Sequence, residues 1–174
     1  RQMCIRDRSD IFAANERGAN FLYINKNGSF NEVAKQFGIA DELQNGRGTT
    51  LSDIFYDGKL DIIYGNWKGY HRAYIKKNNK FFDIANKDFR TPTKVRTVIS
   101  ADFDNDGYDE VFFNNIGEPN KLFRINDNGE FIELKLRDAL EPYGLGTGAA
   151  VADIDNDGIF CLLYTSPSPR DGLL

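Results

Sequence analysis

The chain has 174 residues and a formal net charge of −4, from 22 basic and 26 acidic side chains. An acidic balance of this kind disfavours nucleic acids and anionic membranes as partners. The sequence contains no apolar run long enough to cross a lipid bilayer, so it predicts no membrane span in this part of the protein. The function must therefore be sought in motifs along the chain.

Both ends of the chain are predicted to be non-native. DNA that encodes Cys161–Ser166 can have a reverse complement that encodes Met3–Asp7, which is the pattern of a sequencing adapter translated in error. We therefore exclude residues 1–8 and 161–174 from fold reasoning; the alternative is a natural Ser/Pro-rich linker. Without these ends the net charge becomes −6 and no cysteine remains, so cysteine content says nothing about the redox compartment. Residues 9–160 are expected to be a piece of a longer protein.

An acidic loop recurs along the chain with a period of about 50 residues. The loops begin at Asp53, Asp102 and Asp153, so their spacings are 49 and 51 residues. Other positions keep the same register, and a turn dipeptide such as Asn27-Gly28 or Asn128-Gly129 follows in each repeat. The predicted repeats are about 10–52, 53–101 and 102–152, with the start of the next at 153–160.

This periodicity predicts an all-β fold, because a repeat of 40–50 residues built from short strands is typical of propeller blades. Each repeat contains four strand-like runs, and Asn-Gly between two such runs is a strong hairpin signal. Glycines mark the entry to the first strand of a blade, where strands crowd near the propeller axis; they are Gly46, Gly48, Gly146 and Gly148. The chain is thus predicted to be a β-propeller fragment of about three four-stranded blades, open at both ends.

The loop at 102–110 has the composition of a calcium site. A hard cation takes oxygen ligands, and acids at positions one, three and five of such a loop converge on one point, while glycine at position six permits the sharp turn. Closely spaced carboxylates also repel one another unless a cation neutralises them. The predicted ligands are the side chains of Asp102, Asp104, Asp106 and Glu110 and the carbonyl of Tyr108. The alternative is a solvated turn without metal.

The other two loops are expected to be weaker metal sites. The loop at 153 keeps Asp153, Asp155 and Asp157, with the Ile159 carbonyl, but its ninth position falls in the excluded tail. The loop at 53 has Phe55 where an acid belongs, and weak binding or none is expected there. Its remaining candidate ligands are Asp53, Asp57, the Lys59 carbonyl and Asp61.

These residues resemble a known family. The run Asp102–Gly107 followed by an apolar strand is similar to the FG-GAP/VCBS repeat of integrin-α-like propellers. Ile63–Trp67, Val95–Ile99, Phe112–Ile116 and Asp138–Pro142 resemble the cartilage acidic protein family more specifically. The resemblance implies a secreted, seven-bladed propeller with Ca²⁺ in its hairpin loops, an adhesion or matrix role, and an extracellular protein or carbohydrate ligand.

Catalysis is not expected. Residues 9–160 contain one histidine, His71, and no serine in a Gly-x-Ser-x-Gly elbow, while the acids that could form a catalytic pair lie mostly in the loops. The alternative function is a propeller, catalytic or not, within a secreted carbohydrate-active enzyme. The aromatics of Trp67–Tyr70 fit either sugar stacking or packing between blades.

One further motif has two interpretations. Asn27-Gly28-Ser29 matches the acceptor pattern for N-linked glycosylation. Asn-Gly is also the favoured hairpin turn, and the acceptor pattern has no meaning in a bacterial source.

Overall fold

The computed structural model describes residues 9–78, 80–136 and 140–164, which form four antiparallel sheets. Four segments lie outside this description. They are Arg1–Arg8, Asn79, residues 137–139, which include Asp138-Ala139 of the resemblance motif, and the predicted non-native tail from Thr165 onward. The first sheet contains strands β1 (Ile11–Ala13), β2 (Phe21–Lys26) and β3 (Ser29–Glu32), followed by the short helix α1 (Ala34–Phe37). No helix within the described ranges is long and apolar enough to span a membrane.

The two central sheets each contain four strands in chain order, as predicted. The second sheet consists of β4 (Gly46–Ser52), β5 (Asp61–Asn66), β6 (Arg72–Lys77) and β7 (Lys80–Asp83). The third consists of β8 (Val95–Ala101), β9 (Glu110–Asn115), β10 (Lys121–Ile125) and β11 (Phe131–Leu134). This all-β architecture confirms the predicted fold class and is consistent with a propeller fragment.

Each acidic loop joins the first two strands of one sheet. The loop at 53 connects β4 to β5, and the loop at 102 connects β8 to β9. The sheets therefore begin one strand earlier than the predicted repeats, because sequence similarity is strongest at the loop whereas a sheet begins with the strand that precedes it. Both loops therefore lie at the turn of a β-hairpin.

The last sheet pairs β12 (Ala149–Ala152) with β13 (Cys161–Tyr164) around the loop at 153. Strand β13 thus consists of residues predicted to be non-native, and their short apolar sequence is compatible with a strand whatever its origin. Two points stay predictions. The source DNA would test whether residues 1–8 and 161–174 are translated adapter sequence, and a longer sequence would test the exact repeat bounds.

Neighbouring sheets pack through their innermost strands and through an aromatic core. An added Cβ at Gly48 of β4 would lie 2.5 Å from the backbone N of Val98 and 2.8 Å from the Cα of Thr97 in β8. The prediction of small residues at the inner strands is therefore explained at Gly48 by the close approach of the β8 backbone. The core between the second and third sheets centres on Phe89, whose ring lies 4.0 Å from that of Phe131 and 5.0 Å from that of Phe123.

The two Asn-Gly hairpins differ in their turns. Asn27 and Gly28 both take positive φ, 53° and 85°, as the two-residue turn requires. At the second hairpin only Gly129 does so, with φ of 76°. The N–H of Asn126 donates to the Glu130 carbonyl, 2.9 Å away, so this turn spans more residues than the dipeptide alone.

Candidate metal centre

The loop at 102 is wound by its own aspartates. The two carboxylate oxygens of Asp102 accept the N–H groups of Asp106 and Gly107, at 3.0 and 2.9 Å. Asp106 in turn accepts the N–H of Tyr108 at 2.9 Å. Gly107 takes φ of 91°, so the glycine at position six is needed for the turn. These bonds curl the backbone so that its acidic side chains converge.

Two clusters of three aspartates result from this winding. In each cluster, one carboxylate oxygen per residue lies within 4.8 Å of the other two; the clusters are Asp102, Asp104 and Asp106, and Asp153, Asp155 and Asp157. The loop at 153 repeats the winding, since Asp153 accepts the N–H groups of Asp157 at 3.1 Å and Gly158 at 3.0 Å. An all-oxygen cluster of this kind suits a hard cation.

Glu110 is the most informative member of the predicted ligand set. Its side chain is only 1% exposed, and its Oε2 accepts the N–H of Phe103 at 2.9 Å. Its Oε1 is buried and has no hydrogen-bond partner within the part of the chain that the structure describes. Burial, together with repulsion from the loop aspartates, raises the pKa of Glu110 to about 7. A buried carboxylate oxygen left unpaired is costly, and a cation beside the loop would satisfy it.

The loop at 53 keeps the winding but lacks the cluster. Asp53 accepts the N–H groups of Asp57 and Gly58 at 2.9 and 2.8 Å, so the backbone follows the same path. Phe55 occupies position three, where the other two loops have an aspartate, and it is 42% exposed. The Lys59 ammonium lies 2.5 Å from Asp57 and neutralises it. Asp61, at position nine, is buried, and this burial raises its pKa to about 6. The loop therefore keeps its backbone shape through the bonds to Asp53, and its Lys59–Asp57 ion pair lies at the surface.

Asp109, adjacent to Glu110, does not belong to the cluster. Its Oδ2 accepts the hydroxyl of Ser52 in the neighbouring sheet at 2.7 Å and that of Ser100 at 3.3 Å. The hydroxyl of Tyr56 in the loop at 53 accepts the N–H of Asp109. The rings of Tyr56 and Tyr108 also meet edge to face, 4.6 Å apart. Asp109 thus connects two neighbouring loops, a role that no repeat pattern signals because the matching position in the loop at 53 is Leu60.

Sequence reasoning also missed a hydrogen-bonded link that recurs in three sheets. In each, a backbone N–H donates to the side chain five residues later; Asn20 also donates to the Tyr64 hydroxyl of the second sheet at 3.0 Å. The pairs are Asn15 with Asn20 at 2.9 Å, Asn66 with His71 at 3.1 Å, and Asn115 with Asn120 at 2.8 Å. His71 therefore occupies an asparagine position of the repeat, and the register of the repeats could have revealed it.

His71 is a structural group rather than a catalytic one. It is 0% exposed, its Nδ1 accepts the N–H of Asn66, and its Nε2 lies 3.0 Å from the hydroxyl of Thr93. The hydroxyl of Thr93 in turn donates to the Oδ1 of Asn115 in the next sheet, 2.8 Å away. Burial, with a smaller contribution from Lys121, lowers the pKa of His71 to about 4. Neither ring nitrogen is available for proton transfer to a substrate.

Replacing His71 by asparagine is expected to flatten the pH dependence of stability. The unfolded chain binds a proton below pH 6.5 that folded His71 accepts only near pH 4, so stability is lost as pH falls through this window. The loss is about 2–3 kcal/mol by pH 4.5. Asparagine keeps the acceptor for Asn66, as at the matching positions, but does not titrate. Urea unfolding at about pH 7 and pH 4.5 measures the difference, and equal losses in both proteins would contradict it.

The aromatics at Trp67–Tyr70 do not form an open platform. The guanidinium of Arg47 lies over the Trp67 ring, 5.2 Å from its centroid, and also pairs with Glu16 at 2.5 Å. Tyr70 is 55% exposed, but Arg47 covers one face of the Trp67 ring. The geometry favours packing between sheets over sugar stacking at Trp67.

Comparison with known proteins agrees with this architecture. Residues 53–113 and 102–160 match the model of the FG-GAP-like repeat. Over 170 aligned residues the chain is 49% identical to cartilage acidic protein 1 of Mus musculus, 48% to that of Homo sapiens and 47% to that of Xenopus tropicalis. Each match covers 90% of this chain and 26% of the relative, so the chain spans about a quarter of the length of the curated relatives it matches. The predicted resemblance is thereby confirmed, and the chain belongs to the FG-GAP-like repeat family.

Proposed function

We propose that this chain is part of a calcium-binding, non-catalytic extracellular propeller that serves adhesion or the binding of a matrix ligand. The observation that carries the proposal is the Oε1 of Glu110, which is buried and has no hydrogen-bond partner among the described residues, at the end of the loop whose three aspartates converge. Removing a carboxylate oxygen from water without a partner is unfavourable, and a divalent cation is the partner that this all-oxygen surrounding favours.

The proposed ligands follow the loop positions. The first site takes oxygens from Asp102, Asp104, Asp106 and Glu110 and the Tyr108 carbonyl. The second takes them from Asp153, Asp155, Asp157 and the Ile159 carbonyl. The loop at 53 would bind weakly or not at all, through Asp53, Asp57, Asp61 and the Lys59 carbonyl, because Phe55 removes one carboxylate and Lys59 already neutralises Asp57. Calcium suits these loops better than magnesium, which demands a tighter octahedron.

The extracellular setting fits this chemistry. Extracellular modules bind calcium at about 0.1–1 mM, a concentration reached outside cells and not in the cytosol. The similarity to cartilage acidic protein 1 supports a secreted, matrix-related protein with an extracellular protein or carbohydrate ligand. The engagement of both ring nitrogens of His71 supports a non-catalytic role.

A matched pair of variants tests the site. Glu110→Gln removes one negative charge and the proposed ligand oxygen, whereas Asp109→Asn removes one negative charge at the neighbouring residue, whose carboxylate faces Ser52. Calorimetric titration with calcium near pH 7.5 is expected to show about tenfold weaker binding at one site for Glu110→Gln. Asp109→Asn should change the affinity by less than about threefold.

The comparison separates ligation from general electrostatics. If only the loss of a nearby charge mattered, both variants would bind the cation more weakly to a similar extent, because the two carboxylates belong to adjacent residues. An equal effect of the two substitutions would therefore contradict a ligand role for Glu110.

A further inference from the structure

The hairpin between β2 and β3 presents a motif that the proposed function does not use. Asn27-Gly28-Ser29 lies at its tip, and it is the single Asn-x-Ser/Thr match in the 174 residues. All three residues are exposed. The corresponding positions of the next two repeats, Lys80 and Glu130, have no hydroxyl two residues after the asparagine. The acceptor pattern is therefore not a by-product of the repeat.

The carboxamide of Asn27 is free of the bonds that shape the turn. The N–H of Gly28 donates to the Oδ1 of Asn25 at 2.9 Å, so Asn25 supplies the side-chain support. Asn27 itself makes no side-chain hydrogen bond to the part of the chain that the structure describes. Its positive φ of 53° directs the residue outward at the bend of the hairpin. A group attached to its Nδ2 would meet solvent and would displace no packed contact.

The strand that follows gives such a group a physical role. Strand β3 is the outer strand of its sheet; all four of its residues are exposed, including Phe30 at 49%. Its one charged residue, Glu32, turns back and accepts the N–H groups of Leu22 and Ala34 at 3.2 and 2.7 Å. The matching strand β7 carries charge at both ends, Lys80 and Asp83, and charges discourage pairing with another chain. A bulky hydrophilic group at the start of β3 would protect this less charged edge.

We propose that Asn27 carries an N-linked glycan when the protein passes through a eukaryotic secretory pathway; this inference rests on the extracellular part of the proposed function. The donor is a lipid-linked oligosaccharide pyrophosphate. A bond forms between Nδ2 of Asn27 and the anomeric carbon of the sugar, and the bond from that carbon to the pyrophosphate oxygen breaks. The amide nitrogen gives up one proton, and the lipid pyrophosphate leaves. The product is a glycan at the hairpin tip, beside β3.

The test uses the full chain fused to a cleavable signal peptide in cultured animal cells. Gel mobility is compared before and after treatment with an enzyme that removes N-linked glycans. A shift corresponding to one glycan is expected for the wild type, for Ser29→Thr and for Asn128→Gln. The shift should be lost in Asn27→Gln and in Ser29→Ala. Because the glycan is transferred to the nascent chain, total lysate reports the result even for a variant that folds poorly.

The outcomes are distinct. A chain whose signal peptide is cleaved but whose mobility does not change overturns the inference, as does a shift that survives in Asn27→Gln. Calcium titration of the same protein is independent of this result. A chain that lacks the glycan and binds calcium contradicts only the acceptor site, whereas a glycosylated chain that binds no calcium contradicts only the calcium proposal.

Discussion

Replacing Gly48 by valine is expected to lower the free energy of unfolding by about 3 kcal/mol, the upper part of the range for overpacked sites. A Cβ at this position would lie 2.5 Å from the backbone N of Val98, and the atoms it meets belong to the main chain of β8. A flexible side chain could move aside, but the backbone of an inner strand cannot move without disturbing its own sheet. Urea unfolding in millimolar calcium measures the change.

Thr49→Val provides the matched control for this prediction. Thr49 is the next residue of β4, it is exposed, and valine is at least as favourable in a strand as threonine. Its substitution is expected to change stability by less than about 0.5 kcal/mol. If Gly48→Val were no less stable than Thr49→Val, the close approach of β4 to β8 would be wrong, and with it the packing of neighbouring blades.

Removal of calcium is expected to lower the melting temperature by about 5 °C or more. Millimolar calcium is about ten times a Kd of 0.1 mM, and a ligand at that ratio stabilises the folded state by about 1.4 kcal/mol per site. A change of 1 kcal/mol shifts the melting temperature of a chain of this size by about 2–4 °C. Two occupied loops would add their contributions. The physical cause is the neutralisation of the clustered carboxylates and of the buried Oε1 of Glu110.

Thermal melts in millimolar calcium, millimolar magnesium and excess chelator measure this effect. Magnesium should recover only a small part of the stabilisation, because it keeps its water and fits a flexible loop poorly. The backbone bonds made by Asp102 do not need a metal, so the loop conformation should persist in chelator while the stability falls. Identical melting temperatures in calcium and chelator would contradict the prediction.

The parts of the fold that the sequence predicted are those encoded locally. Acids at alternate positions followed by glycine specify the wound loop, because each aspartate bonds backbone groups within five residues of itself. Two-residue turns and alternating strands are likewise local. The four-stranded sheets and the aspartate clusters could therefore be predicted from residue spacing alone.

The parts that were missed depend on which sheets become neighbours. In the sequence Asp109 looks like a further acidic residue of the loop, yet its carboxylate accepts a hydrogen bond from Ser52 of another sheet, 57 residues away. His71 resembles an isolated histidine in the sequence, yet it occupies an asparagine position of the repeat and connects through Thr93 to Asn115 of the next sheet. The buried state of Glu110 also depends on packing that spacing does not specify.

The number of calcium ions bound by the folded 174-residue chain tests the central claim most directly. Calorimetric titration is expected to give two ions, assigned to the clusters at 102–106 and 153–157, and one ion after Asp104→Asn. The substitution removes a proposed ligand that shapes the backbone less than Asp102 does, because Asp104 accepts the N–H of Asp106 at 3.2 Å whereas Asp102 accepts two N–H groups at 3.0 and 2.9 Å. A folded chain that binds no calcium at millimolar concentration would contradict the account and would leave the acidic loops as solvated turns.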